Sequence, residues 1–220
     1  RIRFYDRMSN IKDIKLDKDT INDIIRWVTP DDNFVDKKVA PCQSLFPLIN
    51  IFHCETVVEL GTHWGCSTSS LLDNCPSIKT LYTIDSYLPY KDTVKPYIEV
   101  GESGSNFLKL SARRNFSFLP LELQQKLRII YGDTLQSAKK FEDKSIDFLW
   151  FDAHLSEDQL AKELETWYPK VAHGGIVGVH DCGNNGSGMD QVVYDFMEGK
   201  YTEGRMSYFN DTLSWIKDDE

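Results

Sequence analysis

Short apolar runs alternate with amphipathic segments along most of this chain, and no other feature of the sequence constrains the fold as strongly. Five runs rich in Val, Ile, Leu and aromatic residues have the length and composition of buried strands: Thr56–Leu60, Thr80–Ile84, Arg128–Tyr131, Ile146–Phe151 and Ile176–Val179. Helical patterns fill the segments between them, among them Ser67–Leu72, Thr134–Phe141 and Ser156–Val171. Buried strands that alternate with helices predict a mainly parallel sheet covered on both faces, in an α/β fold.

The order of the elements predicts one core at residues 55–220, preceded by an N-terminal helical arm at residues 1–54. Residues 86–126 are too long for an ordinary connection, and we expect a partly helical insertion over the ligand-binding edge. A helix and a terminal antiparallel hairpin are predicted at Met189–Met197, Met206–Asn210 and Leu213–Lys217. The hairpin would complete a Rossmann-like, doubly wound sheet of seven strands.

The composition limits the classes of partner. Lys and Arg number 25 and Asp and Glu 34, so the formal net charge is −9 with neutral histidines. Nucleic acids and anionic membranes attract clustered positive charge, so we expect the chain to bind neither. The five scattered cysteines form no C-x-x-C pair, which predicts a cytoplasmic protein in a reducing compartment. Since the sequence begins with Arg1, we expect it to be part of a larger polypeptide. A homo-oligomer is the alternative.

The first predicted strand runs into a turn with two glycines, Glu59-Leu60-Gly61-Thr62-His63-Trp64-Gly65-Cys66-Ser67. In an open α/β sheet this turn lies at the carboxyl edge of the strands, where ligands bind. Glycine also lets the backbone come close to a ligand. The alternative that Gly61 and Gly65 only form a tight turn stays open at this point.

Two further strands end in carboxylates at the same predicted edge. Asp85 ends the second strand, about one βα unit later, where an acid can accept hydrogen bonds from both ribose hydroxyls. Asp133 follows the third strand. These ends favour a cofactor that contains a nucleoside. A dinucleotide site would need a glycine between Gly61 and Gly65, where this chain has none.

The spacing Glu59-x-Gly61-x-x-x-Gly65 resembles the first motif of class I S-adenosylmethionine-dependent methyltransferases. This resemblance implies that Asp85 binds the ribose and that Gly132 and Asp133 lie beside the adenine. The full set of cofactor-binding residues that it implies is Glu59, Gly61, Thr62, Gly65, Ser67, Asp85, Asp133 and Asp152.

The fourth and fifth predicted strands end in a second group of polar residues. Asp152 follows the fourth strand, and His180 and Asp181 follow the fifth, which we expect to begin after a turn at Gly174-Gly175. Neighbouring strands would bring the two acids to one rim, where they repel unless a cation or proton lies between them. Strand alternation places His180 on the opposite side from Asp181, which favours a packed, hydrogen-bonded histidine.

Residues 146–182 resemble the small-molecule O-methyltransferases of the macrocin, aminocoumarin-sugar and catechol type. The resemblance implies that Asp152 and Asp181 bind Mg²⁺ or Mn²⁺, and that Asp152 and His154 are the catalytic residues. His154 would be the general base, a task that suits its ordinary pKa. Cys182 stands where several such enzymes have a further acid.

The resemblance therefore implies methyl transfer from S-adenosylmethionine to a hydroxyl group. We expect a small polyhydroxylated acceptor, with a sugar or glycan as the first choice and a catechol-like phenol as the second. Two other readings stay open from the sequence. They are a nicotinamide-dependent oxidoreductase on a similar sheet and a non-catalytic cofactor-binding domain of a larger protein.

Overall fold

The strands at the centre of the sheet are buried on both faces, which explains their nearly continuous apolar sequences. The structure, a computed structural model, describes residues 41–91, 99–153, 156–182, 188–198, 206–209 and 211–218. Most of the predicted N-terminal arm and the proposed base, His154, lie outside these residues. Side chains alternate between two buried clusters along the central strands, with Val57 in one cluster and Val58 in the other.

One seven-stranded sheet and a two-stranded ribbon hold the described strands. The sheet consists of β1 Thr56–Leu60, β2 Thr80–Asp85, β5 Leu127–Tyr131, β6 Ile146–Phe151, β7 Val171–Val179, β8 Met206–Phe209 and β9 Thr212–Ile216. Its strand order is β5-β2-β1-β6-β7-β9-β8, parallel from β5 to β7, with β9 antiparallel to both β7 and β8. The ribbon pairs β3 Tyr90–Lys91 with β4 Glu99–Val100.

Helices connect the strands and cover the sheet. The α-helices are α1 Phe46–Ile51, α2 Cys66–Asn74, α3 Glu102–Ser117, α4 Leu121–Gln124, α5 Thr134–Ser137, α6 Glu157–Trp167 and α7 Met189–Met197. Short 3₁₀ helices occupy Pro41–Leu45, Ala138–Lys140 and Tyr168–Lys170. The α/β, mainly parallel, Rossmann-like fold is confirmed.

The predicted boundary at residue 54 does not separate two hydrophobic cores. Leu45 and Leu48 are almost completely buried and belong to the same cluster as Val57 of β1. The predicted insertion contains α3 and α4, and α3 packs into the core. Its Ala112 and Phe116 lie in that same buried cluster, so α3 is a layer of the core.

The last parallel strand differs from its prediction. Gly174 and Gly175 do not form the predicted turn before the strand. Both lie inside β7, which runs without interruption from Val171 to Val179. Gly174 has a positive φ of 73°, and the pairing with β6 shifts in register between Ile146 and Phe148. A bulge-like irregularity therefore absorbs the glycine pair inside the strand.

Candidate active site

The turn between β1 and α2 takes its shape from two glycines with positive φ. The φ of Gly61 is 97° and that of Gly65 is 77°. A Cβ on Gly61 would overlap the backbone at Asp152, and one on Gly65 would overlap the ring of Phe116. Both glycines are thus required by the turn and by the close approach of neighbouring elements. The two glycines do form a tight turn, and this structural role is compatible with a ligand at the same edge.

Asp85, at the end of β2, holds this turn through its carboxylate. Oδ2 accepts hydrogen bonds from the backbone N–H groups of Thr62 at 2.9 Å and His63 at 3.0 Å. Oδ1 accepts one from the N–H of Tyr87 at 2.7 Å. A carboxylate has about four acceptor positions, so the hydrogen bonds from the described residues leave one position on Oδ1 for a ligand. Asp85 therefore shapes the turn as well as bordering the predicted ribose position.

Glu59 lies beneath the turn and not at its surface. Its side chain is fully buried, and Oε2 accepts hydrogen bonds from the hydroxyls of Thr68 and of Thr83, the latter at 2.6 Å. Thr83 is also hydrogen-bonded at 2.7 Å to the hydroxyl of Thr62, whose side chain is buried. Burial raises the pKa of Glu59 to about 8, against the opposing effect of the two threonine hydrogen bonds. Glu59 and the Thr62 hydroxyl thus support the turn from below.

Asp133 has a structural role in addition to its place at the edge. It is the N-cap of α5, where Oδ1 accepts a hydrogen bond from the N–H of Gln136 at 2.8 Å. The backbone N–H of Gly132 donates to the carbonyl of Asp85 at 3.0 Å, which joins the ends of β5 and β2. The exposed Asp133 carboxylate therefore borders the same edge as Asp85.

Asp152 lies on the other side of the turn, at the end of β6. Its Oδ2 accepts a hydrogen bond from the hydroxyl of Ser67, in the first turn of α2, at 2.9 Å. Its Oδ1 lies 3.0 Å from Nδ1 of His180, and the same nitrogen lies 3.6 Å from Oδ1 of Asp181. The structure thus brings together both predicted acids, Ser67 and a histidine that the sequence did not place there.

His180 was predicted to be packed and hydrogen-bonded, and it is, but its position relative to Asp181 differs from the prediction. β7 ends at Val179, and Asp181 has a positive φ of 59°, so strand alternation does not extend to these residues. Burial alone would lower the pKa of His180, but the hydrogen bond to Asp152 and the charges of Asp152, Asp181 and Asp211 outweigh it. The pKa is raised above its usual value.

A family model described as a methyltransferase domain matches residues 58–182, more than half of the 220-residue chain. The chain belongs to this family. The matched segment runs from β1 to just beyond β7 and includes the turn, Asp85, Asp133 and the rim at Asp152. The predicted class I S-adenosylmethionine-dependent methyltransferase is confirmed, and the oxidoreductase and non-catalytic readings are not supported.

Solved structures of several O-methyltransferases share the fold. The O-methyltransferase NovP is 16% identical, with a TM-score of 0.59 over 92% of this chain and 79% of that one. A protein assigned as a caffeoyl-CoA O-methyltransferase from Staphylococcus aureus is 18% identical, with a TM-score of 0.56 over 91% and 98%. TomG from Streptomyces achromogenes, an O-methyltransferase in complex with SAM, is 13% identical, with a TM-score of 0.54 over 92% and 99%. Identities this low show a common fold alone.

Two further findings are negative. No curated protein sequence matches this chain. Within the part of the chain that the structure describes, no helix has both the length and the apolar character needed to cross a membrane.

The structure does not support the predicted metal site. Both oxygens of Asp152 face donors of the protein itself, Ser67 and His180. Cys182 is fully buried, its thiol donates to the carbonyl of His180 at 3.8 Å, and burial raises its pKa to about 12. Within the described ranges no group of three or more His, Cys, Asp or Glu side chains could hold a metal ion. The assignment of Asp152 and Asp181 as Mg²⁺ or Mn²⁺ ligands is therefore not supported.

An exposed pair of aromatic rings, Trp64 and Phe107, lies beside the turn, and their contact was not identified from the sequence. The rings of Trp64 and Phe107 meet edge to face with their centroids 5.6 Å apart, and 40% and 58% of their surfaces are exposed. The amide of Asn115 donates to the carbonyl of Trp64 at 2.9 Å and fixes the backbone there. The signal in the sequence was the tryptophan inside the glycine turn, since this turn lies at the ligand-binding edge of the sheet.

Proposed function

We propose that this protein transfers the methyl group of S-adenosylmethionine to a hydroxyl oxygen of a small polyhydroxylated acceptor, a sugar or glycan. The observation that carries the proposal is the family match across residues 58–182, which covers every element of the edge described above. O-methyl transfer and the acceptor class go beyond that match. They are supported by the resemblance of the 146–182 segment and by the chemistry of the edge.

The edge suits a cationic nucleoside ligand. The strand order places Asp133, Asp85, the glycine turn and Asp152 side by side, across three strand spacings or about 14 Å. S-adenosylmethionine has a positively charged sulfur, which acidic side chains favour, whereas a dinucleotide pyrophosphate would be repelled by them. Ribose hydroxyls would use the remaining acceptor position on Asp85, adenine would lie towards Asp133, and the methionine part towards the glycine turn and Asp152.

The chemistry needs alignment and a proton acceptor. When bound, S-adenosylmethionine supplies a methyl group on a good leaving group, so the C–O bond forms as the S–C bond breaks and the hydroxyl proton passes to a base. Asp152 and the turn would align the acceptor hydroxyl at about 3–3.5 Å from the methyl carbon. His154, two residues beyond Asp152, is the proposed base on the strength of its sequence position.

A second acceptor class, a catechol-like phenol, is favoured by one observation. Trp64 and Phe107 offer an exposed apolar surface next to the glycine turn, and a planar aromatic acceptor could pack against it. A sugar could use the same rings through its apolar face. The substitution Trp64→Ala should weaken the binding of a phenol more than that of a polyhydroxylated sugar.

The test is mass spectrometry of reactions that contain methyl-labelled S-adenosylmethionine and a panel of sugars, glycosides, catechols and simple phenols. We expect a single labelled methyl group on a hydroxyl oxygen of a polyhydroxylated compound. His154→Ala should lower kcat by about 10²–10⁴-fold with little change in cofactor affinity, while the exposed control His173→Ala should not. Label on nitrogen or carbon, or an active His154→Ala variant, would contradict the mechanism.

The setting of the protein also stays a proposal. None of the five cysteines forms a disulfide, which supports a reducing, intracellular compartment. The net charge of −9 argues against nucleic acid and anionic membranes as partners. Membership of a larger polypeptide or of a homo-oligomer can be tested by size-exclusion chromatography with light scattering.

A further inference from the structure

A side chain of the protein itself bridges the two acids of the rim. Nδ1 of His180 lies 3.0 Å from Asp152 and 3.6 Å from Asp181, in the place where the metal-dependent reading puts a cation. The ring lies against the fully buried Trp150, with centroids 6.1 Å apart and an angle of 35° between the planes. The backbone N–H of His180 donates to the carbonyl of Phe151 at 3.0 Å. His180 is therefore held through both its backbone and its ring.

The remaining partners of Asp152 are consistent with this arrangement. The Ser67 hydroxyl donates to Oδ2 at 2.9 Å, so each carboxylate oxygen has a donor from the chain. A magnesium ion would require an oxygen of Asp152 at about 2.0–2.1 Å and near-octahedral geometry, which His180 obstructs while it occupies Oδ1. The thiol of Cys182, buried and soft, does not substitute for a hard oxygen ligand.

We propose that His180 takes the place of the divalent cation in this chain, holding Asp152 and Asp181 together, and that methyl transfer is independent of a metal ion. The proposal rests on the proposed function. His180 is a positioning residue, because it acts through Asp152, which borders the glycine turn. The Nδ1–H group donates to Asp152 at 3.0 Å and lies beside Asp181 at 3.6 Å, so this tautomer contacts both acids.

The decisive experiment measures Mn²⁺ binding by calorimetry and by electron paramagnetic resonance, and it needs no acceptor. The wild-type protein should bind Mn²⁺ weakly, with a Kd of about 1 mM or higher. His180→Ala removes the bridge, and we expect Mn²⁺ affinity to rise by at least about 10-fold, with the gain lost again in His180→Ala/Asp181→Asn. His173→Ala, an exposed histidine on the same strand, is the control and should behave as wild type.

Two results would overturn the proposal. One is Mn²⁺ binding by the wild-type protein in the micromolar range that Asp181→Asn abolishes. The other is equal, weak binding by the wild type and His180→Ala, because His180 would then not be what excludes the cation. Thermal unfolding of each variant shows whether it is folded, and S-adenosylhomocysteine binding in the presence of EDTA tests the proposed function separately.

Activity on the acceptor identified by the panel gives a second readout. The wild-type rate should be the same with EDTA and with Mg²⁺. His180→Ala should lower kcat by about 10–100-fold at nearly constant cofactor affinity, because the rim acids lose their position. His180→Asn keeps a donor near Nδ1 and should recover most of that loss. Loss of wild-type activity in EDTA, restored by Mg²⁺, would contradict metal independence.

Discussion

The ionisation of Glu59 should give the stability of this protein a distinctive pH dependence. The carboxyl group is fully buried and shares Oε2 with two threonine hydroxyls, while Oε1 has no hydrogen-bond partner in the part of the chain that the structure describes. Burial raises its pKa from the ordinary 4.5 to about 8. The folded protein therefore holds a proton on Glu59 that the unfolded chain releases near pH 4.5.

The magnitude follows from linkage. A tenfold change in proton affinity corresponds to ~1.4 kcal/mol, so a pKa that rises by about 3.5 corresponds to ~5 kcal/mol between the two protonation states. Below about pH 4.5 Glu59 is neutral in both states, so its burial as a charge costs the folded protein no stability. Between about pH 4.5 and 8 the folded state binds more protons, so stability falls by ~1.4 kcal/mol per pH unit. Above about pH 8 the loss is complete.

The assay is urea unfolding of the wild type and Glu59→Gln from pH 5 to pH 8.5. The amide introduced by Glu59→Gln does not ionise, so the wild-type free energy of unfolding minus that of the variant should fall by several kcal/mol across this range. Glu122→Gln, which removes an exposed carboxylate on α4, should follow the wild-type curve. A difference that is flat between pH 5 and 8 would mean that Glu59 is ionised in the folded protein, and the reasoning would be wrong.

Two further predictions concern stability. Gly61→Ala should lower the free energy of unfolding by about 3 kcal/mol or more, because the φ of Gly61 is 97° and the added Cβ would overlap the backbone at Asp152. The control Gly132→Ala makes only an ordinary contact and should change the free energy of unfolding by less than about 0.5 kcal/mol. Equal effects of the two in urea unfolding would contradict this account of the turn. Ser156→Ala should cost ~1 kcal/mol, because it removes the N-cap of α6, whereas Ser156→Asp should retain stability. Identical melting curves for both Ser156 variants would refute the capping role.

The sequence predicts the strand ends well because each is a local pattern. β1 and β6 have the predicted bounds, and the helix predicted from Ser156 begins there, with Ser156 as the N-cap of α6. The glycines of the first turn were identified correctly for the same reason. Their spacing is a local signal that does not depend on where other strands lie.

The contact between His180 and Asp152 could not be predicted in this way, because it depends on register. Phe151 pairs with Val179, which places the next residue of each strand side by side, but that pairing follows a register shift near Ile146. The Gly174-Gly175 pair also looks like a turn, yet it lies inside β7, where Gly174 donates to the carbonyl of Lys217 at 2.8 Å and Lys217 donates to that of Gly175 at 2.8 Å. Long-range pairing thus decided both points against the local sequence signal.

Calorimetric titration with S-adenosylhomocysteine tests the central claim most directly, because it probes the cofactor edge without an acceptor. We predict stoichiometric binding by the wild type, and a loss of about 10–100-fold in affinity for Asp85→Asn, since hydrogen bonds to a carboxylate contribute about 1.5–3 kcal/mol. Asp73→Asn, an exposed acid at the far end of α2, should bind as the wild type does. Absence of binding by folded wild-type protein, or unchanged affinity of the Asp85 variant, would contradict the account.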